Sequence, residues 1–330
     1  MLKRLLRRRG RRLEQEVTSN HLTNESTLSG LIIKAQSGFF TVEIAPRRHD
    51  AGQGQVVCQL RGKLKQGKAK GDIAALGDNV QITVLEDGSG VIENVEERKQ
   101  AIVRLDPRPN GIYQQVLLAN ADQAVFVFAC ASPNPKMRML DRFLVIAERQ
   151  SIPVVIVANK TDLVENAKDI FGLYESIGYR VIYTSTKNNT GVDELHDTLK
   201  NKISGLAGPS GVGKSSLLNT IQPGLGLAVN VVSTAMGKGK HTTVTRQMFP
   251  LAGGGYVADT PGWKSLALWD IEAEEMEAYF PELRDLVQGC QFSDCTHTHE
   301  PKCAVLAAVE DGRIHRERFD SFLRLRAGQE

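Results

Sequence analysis

No apolar run in the 330 residues approaches the roughly 18 needed to cross a bilayer as a helix, so the chain reads as soluble, with no membrane partner. Its five cysteines are an odd number, and three of them fall within residues 290–303. That is too few, and too clustered, for a disulfide framework, and it fits a reducing compartment. Cys58 and Cys130 lie in apolar, strand-like runs and read as inert core residues. Acid is missing from the first twelve residues, where Lys3, Arg4, Arg7, Arg8, Arg9, Arg11 and Arg12 supply +7; the chain total is +3, which leaves −4 elsewhere. Positive charge is thus concentrated at one end, pointing to a local anionic partner. No apolar segment follows that basic start, so it does not read as a secretory signal; the remnant of an organelle transit sequence is the other reading.

What is there is organised around Gly208, Pro209, Ser210, Gly211, Val212, Gly213, Lys214 and Ser215, which match G-x-x-x-x-G-K-[S/T]. Glycines let backbone amides turn toward anionic oxygens, the lysine reaches terminal phosphates, and the hydroxyl of Ser215 is the expected Mg²⁺ ligand. Residues 203–207 before it read as a short buried strand. Ser215 and Ser216 open an apolar-periodic helix, so phosphate would sit at a helix N-terminus. A second signature, Asn159, Lys160, Thr161 and Asp162, follows the apolar run 153–158, which reads as a buried parallel strand. A carboxylate at 162 can accept from guanine N1–H and N2–H₂, a donor pair adenine lacks. Asn159 would meet the purine N7 side, and the Lys160 stem would cover the ring. The run 180–183 then leads into Ser185, Thr186 and Lys187, placed to close on the base. With Asp259 and Gly262 of Asp-Thr-Pro-Gly, these are four guanine-nucleotide signatures. Their order is rotated, with base-reading motifs ahead of the phosphate loop and the switch segments last. One sheet still closes if the former ends are joined through a helix at 192–202, which is a circular permutation.

Taken together with the run 140–144 (Leu-Asp-Arg-Phe-Leu), the segment Gly237 to Thr243 and a Cys/His cluster at 290–303, the chain resembles the ribosome small-subunit-dependent GTPase A family of circularly permuted GTPases, over about residues 28–325. The resemblance implies an α/β fold: a circularly permuted GTPase domain with an N-terminal OB-fold β-barrel and a C-terminal zinc-binding, mostly helical module. The expected divisions are a basic, disordered arm at 1–27, the barrel at 28–104, the GTPase domain at 105–275 and the zinc module at 276–330. Five short β-rich runs within residues 31–95 support a small barrel on their own. The prolines of 104–111 read as a linker, and 124–129 as the first buried strand of the GTPase sheet.

The resemblance also assigns site residues. Thr243, with Thr242 as the fallback, would ligate Mg²⁺ and sense the γ-phosphate from a first switch that is mobile until nucleotide orders it. Asp259 would hold Mg²⁺ through water, and Gly262 would offer its amide to the γ-phosphate. Many GTPases carry a water-orienting glutamine after that glycine, whereas this chain has Trp263. His241 is the local candidate for that catalytic task, beside Lys214 and Thr243; a phosphate- or RNA-contacting role is the alternative. Cys290, Cys295, His297 and Cys303 form a Cys₃His set suited to one structural Zn²⁺, with His299 the rival of His297.

Arg7, Arg8 and Arg9 of the arm, and Arg61, Lys63, Lys65, Lys68 and Lys70 of an acid-free loop on the barrel, are candidate RNA contacts. The arm also reads as a solvated tail or a membrane-surface helix. A terminal helix over 313–326 would pack Phe319, Phe322 and Leu323 inward and leave a basic face. The implied function is GTP hydrolysis, to GDP and phosphate, by a monomer that binds the small ribosomal subunit and its rRNA late in assembly and is stimulated by it. The location would be cytoplasmic in a bacterium, or plastid or mitochondrion in a eukaryote. Two other readings stand beside it: a nucleotide-gated rRNA-binding assembly placeholder with negligible turnover, and an ATPase or kinase, which Asp162 disfavours.

Overall fold

The computed structural model describes residues 27–44, 54–66, 71–106, 113–227, 246–259 and 271–329. Strands β1 (Leu28–Gln36), β2 (Phe39–Ile44), β3 (Gln55–Leu60), β4 (Asn79–Val84) and β5 (Gly90–Val95) contain or match all five β-rich runs of the sequence. They pair in the order β1-β2-β3-β5-β4, and β4 returns to β1, closing the barrel. Alternation along each strand turns Ile32, Val42, Cys58, Val80, Ile82 and Ile92 into a dry interior. At one end Asp78, fully buried, is gripped by Arg98 through Nε at 2.7 Å and Nη2 at 2.8 Å. The run 104–111 is not simply a linker. Arg104 to Asp106 finish β6 (Ala101–Asp106), which pairs antiparallel with β7 (Tyr113–Ala119). Prolines end strands as readily as they mark linkers, and only pairing tells the two apart.

The next part of the chain alternates strand and helix: β8 (Gln123–Ala129), α1 (Met137–Arg149), β9 (Val154–Asn159), α2 (Lys168–Ile177), β10 (Arg180–Thr184), α3 (Val192–Leu199), β11 (Ile203–Ala207), α4 (Lys214–Ile221), β12 (Arg246–Pro250) and β13 (Tyr256–Asp259). The sheet order is β10-β9-β8-β11-β13-β12, parallel except for β12. Every residue of β8 is buried, as a central parallel strand requires. Its side chains alternate between two cores. Phe126 and Phe128 pack with Leu140, Phe143 and Leu144 of α1 on one face; Val125 and Val127 pack with Leu195, Leu199, Leu217 and Leu218 of α3 and α4 on the other. Helix α3 delivers the chain into β11 within three residues, the join that the rotated motif order demands. The barrel continues into this sheet, because β1 pairs with β12 at Lys34–Gln247 and Ala35–Arg246.

The C-terminal part holds a 3₁₀ segment (Ala273–Tyr279), a helical turn (Pro281–Arg284), α5 (Ala304–Glu310) and α6 (Arg316–Arg326). Its core, built from Phe280, Leu283, Val305, Ile314, Phe319 and Phe322, also takes in Val145 of α1. Asp141 lies one helical turn before Val145 on the same stripe, so α1 shows one face to the sheet and a second to this module. Asp141 there accepts from Arg318 Nη1 at 2.6 Å, from Tyr174 Oη at 2.8 Å and from Ser321 Oγ. Arg318 also donates to Glu282 at 2.6 Å and lies 4.5 Å from the Phe280 ring centroid. Burial alone would lower the Arg318 pKa, but the Asp141 and Glu282 carboxylates outweigh it and hold it above its ordinary value. Phe319 and Phe322 pack inward as expected and Leu323 lies against the same core, while Arg313 and Arg316 are exposed; Arg318, however, leaves the basic face to be buried, and Leu325 joins the core. Arg318→Met should cost about 3–5 kcal/mol, because it strands Asp141 as a buried unpaired carboxylate. Urea unfolding checks this, and adding Asp141→Asn should recover part of the loss.

Among the described residues no helix is long and apolar enough to cross a membrane.

Candidate nucleotide site and metal centre

The carboxyl ends of β11, β8, β9 and β10 bring the sequence motifs together, as open α/β sheets place their ligand loops. The phosphate loop leaves β11 by passing tightly over β8. At Gly208 a Cβ would lie 2.0 Å from the Val127 carbonyl oxygen; at Gly213, with φ of +98°, it would lie 2.4 Å from Asn159 Nδ2. Only glycine fits either place. The loop then opens α4 at Lys214, whose first turn carries no acid and leaves amides and dipole to an anion. Lys214 Nζ donates to the carbonyls of Gly208 at 2.9 Å and Pro209 at 3.0 Å, folding the lysine back along its own loop. Ser215 is buried, and its Oγ has no hydrogen-bond partner among the described residues. An orphaned hydroxyl costs about 1–3 kcal/mol, so this oxygen is built for a ligand.

The base-reading segment is bolted to that loop. Asn159, 1% exposed, donates from Nδ2 to the Val212 carbonyl at 2.8 Å and accepts at Oδ1 from Thr184 Oγ1 at 3.0 Å. One side chain therefore ties β9, β10 and the phosphate loop together. Lys160, in the left-handed region at φ of +64°, donates to the Gly211 carbonyl at 2.7 Å and to the carbonyl of Ser132. Asp162 accepts from Ser185 Oγ at 2.7 Å, and Lys187 Nζ stands 4.0 Å from its second oxygen. Thr161 donates to the Thr184 carbonyl at 3.3 Å, and Ser185 pairs with Thr190 through two backbone bonds of 3.0 Å. Thr186 is half-buried beside Ser185, and Ser210 and Ser216 are exposed and half-buried on the phosphate loop. The carboxylate of Asp162 is thus oriented before any base arrives. Sequence reasoning missed Ser132, whose carbonyl meets Lys160 across 28 residues. Nothing local in the sequence marks that contact.

Cys130 ends the same region, and Cys58 lies in the barrel. Burial pushes each thiol up to about 11. Both should resist iodoacetamide at pH 8 in the folded protein and react once it is unfolded, as peptide mass mapping would show. Since the folded values are raised, keeping these thiols protonated contributes stability that is fully present below the ordinary thiol value and is lost as pH rises from there through about 11.

The second constellation is the cysteine–histidine cluster. The ligand atoms of Cys290, Cys295, His297 and Cys303 all lie within 4.8 Å of one another. Cys290 Sγ is 3.8 Å from Cys303 Sγ and 3.6 Å from His297 Nδ1. A tetrahedron with Zn–S bonds of about 2.3 Å has edges of about 3.8 Å, so the spacing suits Zn²⁺. His297, at φ of +58°, turns Nδ1 inward and Nε2 to Glu277 Oε2 at 2.9 Å. A carboxylate behind a ligating imidazole fixes its tautomer. Glu277 is 20 residues away, and no sequence spacing points to it. His299 instead bonds Thr298 Oγ1 at 2.8 Å and is exposed. Burial pushes the Cys295 thiol up to about 12.

On the barrel, Arg61 pairs with Glu93, and Lys63 Nζ lies 3.9 Å from the same carboxylate. The basic loop is therefore partly neutralised by a strand the sequence reading did not connect to it. Arg7, Arg8, Arg9, Lys68, Lys70, His241, Thr242, Thr243, Gly262 and Trp263 lie outside the described residues, as do the side chains of Lys65 and Asp259.

Comparison with known proteins gives two matching families. The RsgA N-terminal domain matches residues 29–92, and the RsgA GTPase matches residues 95–269. The small ribosomal subunit biogenesis GTPase RsgA of Gemmatimonas aurantiaca is 44% identical over 275 residues, covering 81% of this chain and 88% of that protein. The crystal structure of YjeQ from Thermotoga maritima superposes with a TM-score of 0.73 at 36% identity, covering 92% of this chain and 99% of that one. That of YloQ, described as a circularly permuted GTPase, gives a TM-score of 0.70 at 32% identity, covering 94% and 98%.

Proposed function

The chain belongs to the RsgA GTPase family, and on that premise we propose how its residues carry out GTP hydrolysis in the biogenesis of the small ribosomal subunit. The observation that carries the reading is the pre-oriented Asp162, held by Ser185 in a loop that Asn159 and Lys160 fasten to the phosphate loop. Asp162 accepts from guanine N1–H and N2–H₂; Thr186, Lys187 and the Lys160 stem enclose the ring. The backbone from Pro209 to Ser216 cradles the phosphates, and Lys214 exchanges its carbonyl partners for phosphate oxygens. Ser215 Oγ, buried and without a partner, fits an Mg²⁺ ligand, with Thr243 and Asp259 completing the set. When bound, Mg²⁺ neutralises charge on the phosphate oxygens. Zn²⁺ held by Cys290, Cys295, His297 and Cys303 is structural, because four protein ligands leave no position for water.

Trp263 offers an indole N–H donor but no acceptor for a proton of the attacking water, so we assign that task to His241, ordered when the small subunit engages the first switch. Hydrolysis is accordingly slow alone and stimulated by the subunit. Arg7, Arg8, Arg9, Lys65, Lys68 and Lys70 contact rRNA; Arg61 and Lys63 contribute less, since Glu93 already engages both. The protein acts in the cytoplasm of a bacterium, as its bacterial relatives suggest, and as a monomer. Displacement of a fluorescent GTP analogue tests the base assignment. GTP and GDP should compete, and ATP should do so at least 100-fold more weakly. Equal competition by ATP would remove the guanine reading.

A further inference from the structure

One large concave feature belongs to neither the nucleotide site nor the zinc cluster. A cleft of about 870 Å³ lies between the start of α1, α2 and α6. Asp141 and Arg318 are among its lining residues, and the Asp141 carboxylate is already saturated by Arg318, Tyr174 and Ser321. The rest of the lining carries four cations, Arg142 among them, and three carboxylates. Arg138 comes from the first turn of α1, Lys136 from its N-cap, and Arg324 from the last turn of α6. Arg324 is half-buried, and its Nε is shut off from solvent without an acceptor. Its Nη2 reaches Ser321 Oγ only at 3.4 Å. Burial and then repulsion from Arg138 depress its pKa below the ordinary value. Crowding a half-buried guanidinium against a second one is costly until an anion meets them. Helix α1 adds to that demand, since its first turn has no acid and no side chain caps it. Two of the carboxylates in the lining are engaged elsewhere: Asp320 pairs with Arg316 at 3.1 Å, and Asp169 accepts from Asn166 at 2.6 Å. Glu317, in the first turn of α6, is the other one present.

We propose that this cleft is a phosphate-binding site that takes a backbone phosphate of RNA, with Arg138 and Arg324 as its ligands. The volume accommodates a phosphodiester with its flanking sugars, and the site spans the boundary between the GTPase sheet and the zinc module. That the phosphate belongs to RNA rests on the small-subunit reading above; the demand for an anion does not.

The test uses the full chain carrying Arg138→Gln and Arg324→Gln together, with Arg180→Gln as a charge control on an exposed residue paired with Glu194. Small-subunit affinity is measured between about 50 and 200 mM salt, where each phosphate contact contributes about one unit of slope in log affinity against log salt. The double variant should bind on the order of 10-fold more weakly with a slope shallower by about 1–2, while GTP affinity stays unchanged. A slope and affinity equal to those of Arg180→Gln would overturn the proposal. If the wild-type chain failed to bind subunits, the small-subunit reading would fall by itself, and a second readout would still decide the cleft. Phenylglyoxal modification of Arg138 and Arg324, mapped by mass spectrometry, should be slowed by a short RNA oligonucleotide and not by equimolar inorganic phosphate. Protection by free phosphate alone, or by neither, would contradict the RNA assignment.

Discussion

Replacing Asp162 with asparagine should lower GTP affinity by about 10³-fold, close to 4 kcal/mol, and should let xanthosine triphosphate bind in its place. The carboxylate faces guanine with acceptors only, and an amide would present a donor where N1–H and N2–H₂ need an acceptor. Xanthine carries a carbonyl at C2, which the same amide can satisfy. The swap is nearly isosteric and Ser185 can still donate to the side-chain oxygen, now at 2.7 Å, so the loop should keep its shape. Isothermal titration with GTP, ATP and xanthosine triphosphate reads the result. An unchanged preference for GTP would mean that another group reads the base.

Removing the metal should produce the second large effect. The purified chain should carry one zinc per molecule, and stripping it, or substituting Cys303→Ser, should unfold the C-terminal module while leaving GTP affinity within about threefold. Cys295, His297 and Cys303 are core positions of that module, and the His297 ring lies 6.0 Å from that of Phe322. Structural zinc sites contribute on the order of 10 kcal/mol, comparable with the whole stability of a small domain. Limited proteolysis within 271–329 should become rapid, and thermal unfolding should split into two transitions. Among the described residues, Val145 of α1 alone enters the module core from outside it, which is why the nucleotide site should survive. Zinc-free protein with an intact, protease-resistant module would contradict this.

The parts of the fold carried by local pattern were legible in the sequence. The run 203–207 is β11 to the residue, and the five barrel runs are strands because alternation and turns fix them within a few residues. That the loop 208–215 and the segment 159–162 meet at one end of the sheet was legible, because the chemistry proposed for them restricts residue type at each place. Contacts between distant segments were not. Asp141 reads as a polar intrusion in an apolar helix until Arg318, 177 residues later, arrives to pair with it. The fixing of His297 by Glu277 and the neutralisation of Arg61 by Glu93 are of the same kind. The β6–β7 pairing was hidden because proline signals an interruption without saying whether the chain returns. The long-range pairs depend on which surfaces meet, and no short window along the chain contains that information.

The central claim is that this GTPase is switched on by the small ribosomal subunit. Single-turnover GTP hydrolysis should therefore be measured for the purified protein alone, with small subunits, and with large subunits, alongside His241→Ala. The account predicts strong stimulation by small subunits only, lost in the variant while GTP binding is kept. Hydrolysis that is equally slow with and without subunits, with nucleotide and subunit both bound, would contradict it and leave a nucleotide-gated placeholder in its stead.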